Sequence, residues 1–177
     1  MRKGFWIWLA AAYLLMGCQS DSKADKSRSI PENLPTYTNE EGTLISNGIA
    51  LETRGVKVIR AFLLFDNSTL VPADNRTILG RQVKLRLVIQ EGWKELEGKV
   101  ALGASETIET DKVQVVLHEK DLFASSPIID AEAAKAITLN ATISKLGRKP
   151  AYFLVKFRVW DKQGEGEISG SYKLYVD

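Results

Sequence analysis

The sequence of 177 residues contains one cysteine, Cys18, and one histidine, His118. A lone cysteine cannot form an intrachain disulfide, and a zinc site built from cysteine and histidine needs more ligands than these two residues supply. Any histidine-activated nucleophile would depend on His118, yet the chain has neither a G-x-S-x-G motif nor a glycine-rich phosphate loop. The sequence therefore points away from these enzyme classes and predicts a non-enzymatic protein without a cofactor.

A long apolar run is also missing. The longest one, residues 5–16, has twelve residues, whereas a membrane-spanning helix needs about 20. Arg2 and Lys3 precede this run, and the small residue Gly17 follows it. A basic start, a short apolar stretch and a small residue at the cleavage position are typical of a secretory signal peptide.

Residues 15–18 read Leu-Met-Gly-Cys and resemble the lipobox of bacterial lipoprotein signal peptides. Leu15, Gly17 and Cys18 fit that motif, and Met16 departs from the Ala, Ser, Thr or Val that is more usual there. The resemblance implies cleavage before Cys18, a diacylglycerol on its thiol and an acyl chain on its amine. Each buried methylene contributes about 0.8 kcal/mol, so these chains would anchor the protein firmly. We expect a lipoprotein of the bacterial cell envelope, on the outer membrane, with the periplasmic or surface side left open.

The chain has no excess of one charge once this signal is removed. It contains 24 Lys and Arg residues and 22 Asp and Glu residues, and Arg2 and Lys3 belong to the signal, which leaves 22 of each sign. A neutral chain has no overall electrostatic attraction to nucleic acid or to anionic lipid. The expected partners are the membrane, through the lipid anchor, and an envelope protein, but no nucleic acid.

Composition divides the chain into a signal peptide at 1–17, a lipidated cysteine with a flexible tether at 18–42, and one domain at 43–177. The tether begins with a stretch rich in Ser, Asp and Lys, which has too little apolar surface to offset the entropy lost on folding. The domain has the length of a typical single domain. The alternative for the last residues of the tether, Tyr37 among them, is an ordered lead-in that packs on the domain.

Beyond residue 43 the hydrophobic pattern repeats every two residues, as in half-buried strands. In the clearest segment, 82–89, aliphatic residues alternate with Gln82, Lys84 and Arg86. The same alternation occurs in three further segments, which are 137–143, 152–160 and 167–176. Less regular candidates for strands are 43–52, 56–65, 99–102 and 113–118. Both faces of 56–65 are mostly apolar, which predicts a strand in the middle of a sheet.

Turn and helix signals complete the predicted order of elements. Turns are expected at 47–48, 111–112 and 161–164, the last of them in a hairpin. The one helix signal lies at 130–135, where Asp130 is the expected cap of a short helix. About seven or eight strands without β-α-β alternation predict an all-β fold, an antiparallel β-sandwich. Immunoglobulin-like topology is the first expectation, and transthyretin-like and C2-like arrangements are the alternatives.

Basic residues supply the main candidate for a binding face. Five candidates face outward on their predicted strands: Lys84, Arg86, Lys156, Arg158 and Trp160. If these strands are neighbours, the residues form a basic face with an aromatic edge, suited to a partner protein or an anionic glycan. The alternative is a solvated face on which the charges pair with Glu165, Glu167 and other acids on adjacent strands.

Acidic loops are the only candidates for a metal site. Asp66-Asn67-Ser68 and Asp74-Asn75 offer oxygen ligands for calcium, but they lack the regular spacing of a calcium-binding loop. Turn formation by Asp and Asn side chains explains these residues equally well without an ion. The sequence therefore leaves ion binding at Asp66 and Asp74 open and predicts no metal site.

Two functions remain. The first is a non-enzymatic, membrane-anchored lipoprotein whose sandwich binds or assembles other proteins of the cell envelope. The second is a module of a surface uptake system that binds a carbohydrate or small ligand, with Trp93 or Trp160 as a stacking platform. An exposed Trp on a concave surface would favour the ligand, whereas a flat apolar patch or an open strand edge would favour a protein partner.

Overall fold

A computed structural model of the protein describes residues 35–144 and 150–177. The predicted signal peptide, Cys18 and the tether up to residue 34 lie outside the described residues. The described helical structure is limited to one short 3₁₀ turn, so no described helix has the length and apolar character needed to cross a membrane.

Twelve strands lie in the described part of the chain, and eight of them have at least five residues. The strands, in chain order, are β1 Tyr37–Thr38, β2 Leu44–Ile45, β3 Ala50–Arg54, β4 Lys57–Phe65, β5 Arg76–Thr77, β6 Gln82–Glu91, β7 Lys99–Thr110, β8 Val115–Glu119, β9 Ile128–Asp130, β10 Ala136–Thr142, β11 Phe153–Asp161 and β12 Glu167–Val176. The eight longer strands agree with the predicted number.

These strands form two sheets that pack as a sandwich. The first sheet has the order β1-β2-β4-β6-β10 and the second has the order β3-β12-β11-β7-β8, with β5 beside β12 and β9 beside β7. The described strand pairs are antiparallel except β2 with β4 and β5 with β12. The prediction of an antiparallel β-sandwich is confirmed. The order β4-β6-β10 facing β12-β11-β7-β8 is the A-B-E and G-F-C-C′ order of an immunoglobulin-like domain.

The core lies between the two sheets, and the strands with the clearest alternation line it. Leu85 and Leu87 of β6 are fully buried, as are Val155 and Val159 of β11. Ile168 of β12 is buried in the same way. Successive side chains of a strand point to opposite faces, so the intervening polar residues face outward. The predicted inward residues of these strands are therefore confirmed.

Strand β4 departs from simple alternation. Its register with β6 shifts between Val58 and Arg60, which marks a β-bulge at Ile59. The extra residue restarts the alternation, so Val58 and Ala61 are both buried although they lie three positions apart. Uninterrupted alternation over 56–65 predicts these two residues on opposite faces, and that prediction is wrong. The expected central position is confirmed, because β4 pairs with β2 on one side and with β6 on the other.

Three other predicted elements differ in extent. The candidate strand 99–102 is the first third of β7, which continues to Thr110. The candidate strand 43–52 is split by the predicted turn at 47–48 into β2 and β3, which belong to different sheets. The predicted helix is a single 3₁₀ turn, Ala133–Lys135. Asp130 does not cap it, because Asp130 ends β9 and forms an ion pair with Lys99.

Residues 35–42 belong to the folded domain, although the sequence assigned them to the tether. Strand β1 pairs antiparallel with β2. The Tyr37 hydroxyl donates a hydrogen bond to the Ile49 carbonyl at 3.3 Å, and Thr53 of β3 donates one to Glu41 at 2.9 Å. Residues 35–42 therefore form the ordered lead-in that the sequence analysis gave as the alternative to a flexible tether.

A pair of buried asparagines ties the two sheets together near the 47–48 turn. The Asn47 side chain receives a hydrogen bond from the Leu63 amide of β4 at 3.1 Å and donates one to the Asn75 side chain at 2.9 Å. Asn75 donates to the carbonyls of Asn47 at 2.8 Å and of Lys173, in β12, at 2.9 Å. We call Asn47 and Asn75 the asparagine clasp. Because its bonds reach β4 and β12, it fixes one sheet relative to the other.

Candidate functional site

The five predicted binding residues do not form one face. Lys84 and Arg86 lie on β6 in the first sheet, and Lys156, Arg158 and Trp160 lie on β11 in the second. All five alternate with buried residues, so each group points away from the core on its own side of the sandwich. The strands are not neighbours, and the condition on which the basic face depended is not met.

The charges on the second sheet are paired with acids. Arg158 contacts Glu167 of the adjacent strand at 2.8 Å, and Lys156 contacts Glu109 at 2.5 Å. Glu167 also contacts Arg54 at 3.0 Å. The hydrogen bond from Arg158 is the main reason why the pKa of Glu167 is lowered. These contacts agree with the alternative given by the sequence, a solvated face on which basic residues pair with acids on adjacent strands.

On the first sheet, Lys84 and Arg86 are held by neutral oxygens. Lys84 donates to the carbonyl of Asp66 at 2.9 Å, and Arg86 donates to the Thr138 hydroxyl at 2.5 Å. Both side chains are partly buried. Two cations on a sheet face are too few to define an anion-binding site on their own.

Trp160 packs against the backbone of its own sheet. A Cβ atom placed on Gly103, its partner on β7, would lie 2.3 Å from the indole ring. The ring therefore occupies the space above Gly103 that a side chain would otherwise fill. The guanidinium of Arg158 lies 5.1 Å from the ring centroid. Trp160 is thus a packed, half-buried residue rather than an open stacking platform.

Trp93 lines a small cavity at one end of the sandwich. The cavity has a volume of about 180 Å³, and the buried core residues Ile89 and Val100 contribute to its wall. Its polar lining includes Glu95 and Glu132. The Trp93 indole nitrogen donates to a backbone carbonyl of the 3₁₀ turn at 3.3 Å, which fixes the ring. Of the two tryptophans proposed as platforms, Trp93 thus borders a concave surface, whereas Trp160 packs over Gly103.

The candidate calcium loops use their oxygens for turns and ion pairs. Asp66 accepts from the amide of Asn67, and Asp74 accepts from the amide of Arg76 and contacts its guanidinium at 3.6 Å. Asn75 is occupied by the asparagine clasp. No group of three or more potential metal-ligating His, Cys, Asp and Glu side chains occurs within residues 35–144 and 150–177. The turn-forming role of these residues is sufficient to explain them.

The end of the second sheet at β8 carries an apolar edge that the sequence did not reveal. Strands β8 and β9 both pair with β7 there, and in the described chain β8 has no other strand partner. Five exposed aliphatic side chains follow this side of the sheet, and we call them the β8 edge: Val113, Val115, Val116, Leu122 and Ile128. Their exposed fractions run from 37% to 72%. Exposed aliphatic residues beside a strand with one open side are unusual, because proteins normally protect sheet edges with charge, proline or cover.

His118 lies on the same strand. Its Nδ1 atom is 2.8 Å from the Thr107 hydroxyl on β7, and its ring is exposed. The contact is a cross-strand hydrogen bond between the imidazole and a threonine hydroxyl. Local pattern identified 113–118 as a strand, but the position of that strand at an edge depends on long-range pairing. The one sequence signal was the lack of alternation around Val115 and Val116.

Comparison with known proteins identifies no family. No protein-family model matches the sequence, and no curated protein matches it. Two solved structures of variants of superoxide reductase (neelaredoxin) from Ignicoccus hospitalis superpose with a TM-score of 0.35 and 6% sequence identity. The superpositions cover 66% of this chain and 80% and 81% of those chains. Similarity at this level indicates neither a shared family nor a shared activity.

Proposed function

We propose that this protein is a non-enzymatic lipoprotein of the bacterial cell envelope that binds a partner protein through the β8 edge. The lipid anchor is inferred from Cys18 and the lipobox pattern around it. The observation that supports the binding role is the group of exposed aliphatic residues on and around β8, an edge strand that pairs on one side only among the described strands.

An extended segment of the partner is the expected occupant. An open edge strand offers backbone N–H and C=O groups, to which a further strand can pair, and the alternate side chains supply specificity. Burial of the exposed valines would add about 25 cal/mol for each Å² of apolar surface removed from water. Backbone pairing and apolar burial together favour a protein partner over a glycan at this surface.

Recovery of the partner from membranes tests this proposal. The lipidated protein is captured from detergent extracts, and the proteins recovered with it are identified by mass spectrometry. Val116→Lys places a charge on the edge strand, as natural proteins do to prevent edge pairing, so the partner should be lost. Ile78→Lys changes an even more exposed aliphatic residue away from the edge and should keep the partner. Equal recovery by both variants would rule out the β8 edge as the binding surface.

The Trp93 cavity supports a second candidate function, the ligand-binding module. Only Trp93 and Trp160 remain once the predicted signal, which contains the other two tryptophans, is removed. Trp160→Phe therefore leaves Trp93 as the single tryptophan of the mature chain, and its emission can be excited selectively above the tyrosine absorption band. A saturable change in its emission on addition of mono- or oligosaccharides, lost in Glu95→Gln, would favour this function. A flat response to every sugar would leave the cavity as a packing feature.

A further inference from the structure

Strand β7 carries a carboxyl group that points into the sandwich. Glu106 is 1% exposed, and in the register of the sheet it lies opposite the buried Phe157 of β11 and opposite Glu119 of β8. Neither carboxylate oxygen has a hydrogen-bond partner among the described residues. The hydroxyl of Tyr172, which is also 1% exposed, is unpartnered as well.

A buried and unpartnered carboxylate is costly, because the charge has lost its hydration and gained no compensating bonds. The neutral acid avoids most of this cost. Burial accordingly raises the pKa of Glu106 to about 7. The pKa of Tyr172 is raised too, first by burial and then by the charge of Glu106, which shows that the two groups lie within electrostatic reach.

The groups around this carboxyl do not offset its charge. In the second sheet, Glu106 lies opposite Phe157 of β11 and opposite the acid Glu119 of β8, and it is within electrostatic reach of the neutral Tyr172. The first sheet turns apolar side chains of β4, β6 and β10 toward the core. The segment after β8 supplies Asp121, whose charge is engaged by Lys162 at 2.7 Å. The described surroundings therefore hold acids and apolar groups but no free cation.

We propose that ionisation of Glu106 detaches the edge strand β8 and so makes the β8 edge responsive to pH. Glu106 lies one strand from the edge, and β8 is the only described strand of the second sheet between it and solvent on that side. Opening β8 costs little, because Leu117 is the only residue of the strand that is even partly buried. A poorly buried segment opens locally at low free-energy cost, so the opening of β8 is the expected response to a buried charge on the neighbouring strand. The claim that pH regulates partner binding rests on the proposed function. The claim that β8 opens when Glu106 ionises is independent of it.

The direction of the effect follows from proton linkage. The closed state binds the proton of Glu106 more tightly than the open state, because in the open state the pKa of Glu106 returns to its ordinary value of 4.5. Between that value and about 7, a rise of one pH unit favours the open state by up to about tenfold. Below this window β8 stays paired, and above it the opening equilibrium no longer depends on this group.

Hydrogen exchange of the full mature chain tests the proposal without any partner. Exchange is followed by mass spectrometry from about pH 5 to about pH 8 and corrected for the intrinsic pH dependence of amide exchange. We expect opening in peptides that cover β8 to rise by roughly 40-fold between pH 5 and pH 7. Peptides from β6 should remain protected. Glu106→Gln should remove the pH dependence in β8, and Glu109→Gln, a carboxyl on the same strand paired with Lys156, should retain it.

Two results would overturn the inference. One is the same corrected slope in the wild type and in Glu106→Gln, and the other is a rise in β6 equal to that in β8, which would indicate global unfolding. If Glu106→Gln does not fold, Glu106→Leu takes its place, because an apolar residue suits this position better than an amide. If the wild-type chain recovers no partner at any pH but β8 shows the expected pH-dependent exchange, the result counts against the proposed function alone.

Discussion

Buried polar residues of this sandwich fall into two kinds. Asn47 and Asn75 use their side-chain groups in hydrogen bonds, so their burial is compensated and they position the backbone. Glu106 and Tyr172 have no such partners. The asparagine amides do not titrate, so their contribution does not change with pH, whereas the buried carboxyl of Glu106 makes stability depend on its protonation.

The pH dependence of global stability follows from Glu106. Its pKa is about 7 in the folded state and 4.5 ordinarily, so the folded state binds more protons between these values and stability falls as pH rises. The full loss corresponds to about 3 kcal/mol at 1.36 kcal/mol for each pKa unit. Glu106→Leu should therefore gain unfolding free energy at pH 8 relative to wild type and gain less at pH 4.5. Urea denaturation at both pH values measures the difference, and equal gains would contradict it.

A second residue-scale prediction compares neighbours on β6. Leu85 is fully buried, and Leu85→Ala should cost about 2 to 5 kcal/mol because it leaves a cavity in the core. Lys84 points outward with one hydrogen bond to the Asp66 carbonyl, and Lys84→Ala should cost about 1 kcal/mol or less. Chemical denaturation of both variants measures the contrast. Similar losses at the two positions would be incompatible with a two-faced strand.

At the scale of elements, the asparagine clasp is the most informative connection. Asn75→Ala leaves the carbonyls of Asn47 and Lys173 without their donors and should lower the unfolding free energy by about 2 to 4 kcal/mol. Asn67→Ala is the matched control, because Asn67 bonds only within its own exposed turn and its loss should cost under about 1 kcal/mol. Thermal unfolding monitored by circular dichroism would separate the two. A small effect at Asn75 would show that packing alone holds the sheets in register.

The elements also show which structural features a local pattern can predict. Alternation identified β6, β10, β11 and β12 because their inward positions are filled by apolar residues alone. It missed most of β7, because Gly103 sits beneath Trp160 and the inward position 106 is a glutamate. The bulge in β4 was not predicted, because both faces of this strand are mostly apolar in sequence and the hydrophobic pattern does not mark a shift between them.

Sheet order lies beyond such patterns altogether. The proposed basic face failed because β6 and β11 belong to different sheets, a fact decided by pairing between distant segments. The β8 edge was missed for the converse reason, since a strand looks the same in sequence whether one or both of its sides are paired. The short strands β1, β5 and β9 need partners elsewhere in the chain to exist at all.

At the scale of the whole molecule, the lipid anchor is the first property to test. Cys18→Ala removes the only thiol that could accept a diacylglycerol, so the variant should lose lipid and stay unprocessed. Metabolic labelling with a fatty acid and membrane fractionation measure this result. Label retained by the variant would remove the basis for the localisation, while the sandwich and its predicted stability would be unaffected.

The lead-in gives a second whole-molecule prediction. A chain starting at residue 41 lacks β1, whose two residues are exposed and pair only with β2 among the described strands. Its melting temperature should fall by a few degrees relative to a chain starting at residue 35, about the shift expected for 1 kcal/mol in a domain of this size. Differential scanning calorimetry of the two chains is the measurement. A collapse of the folded state would mean that residues 35–40 are part of the core.

The position of β1 determines how this domain would carry a mechanical load. The described chain enters the sandwich at β1, and Glu41, just after β1, accepts a hydrogen bond from Thr53 of β3; β3 and β8 are the two ends of the second sheet. Four strand spacings, roughly 20 Å, separate these flanks. Tension from an N-terminal anchor would thus peel a two-residue strand at one flank, while a protein paired with β8 at the other flank stays in place.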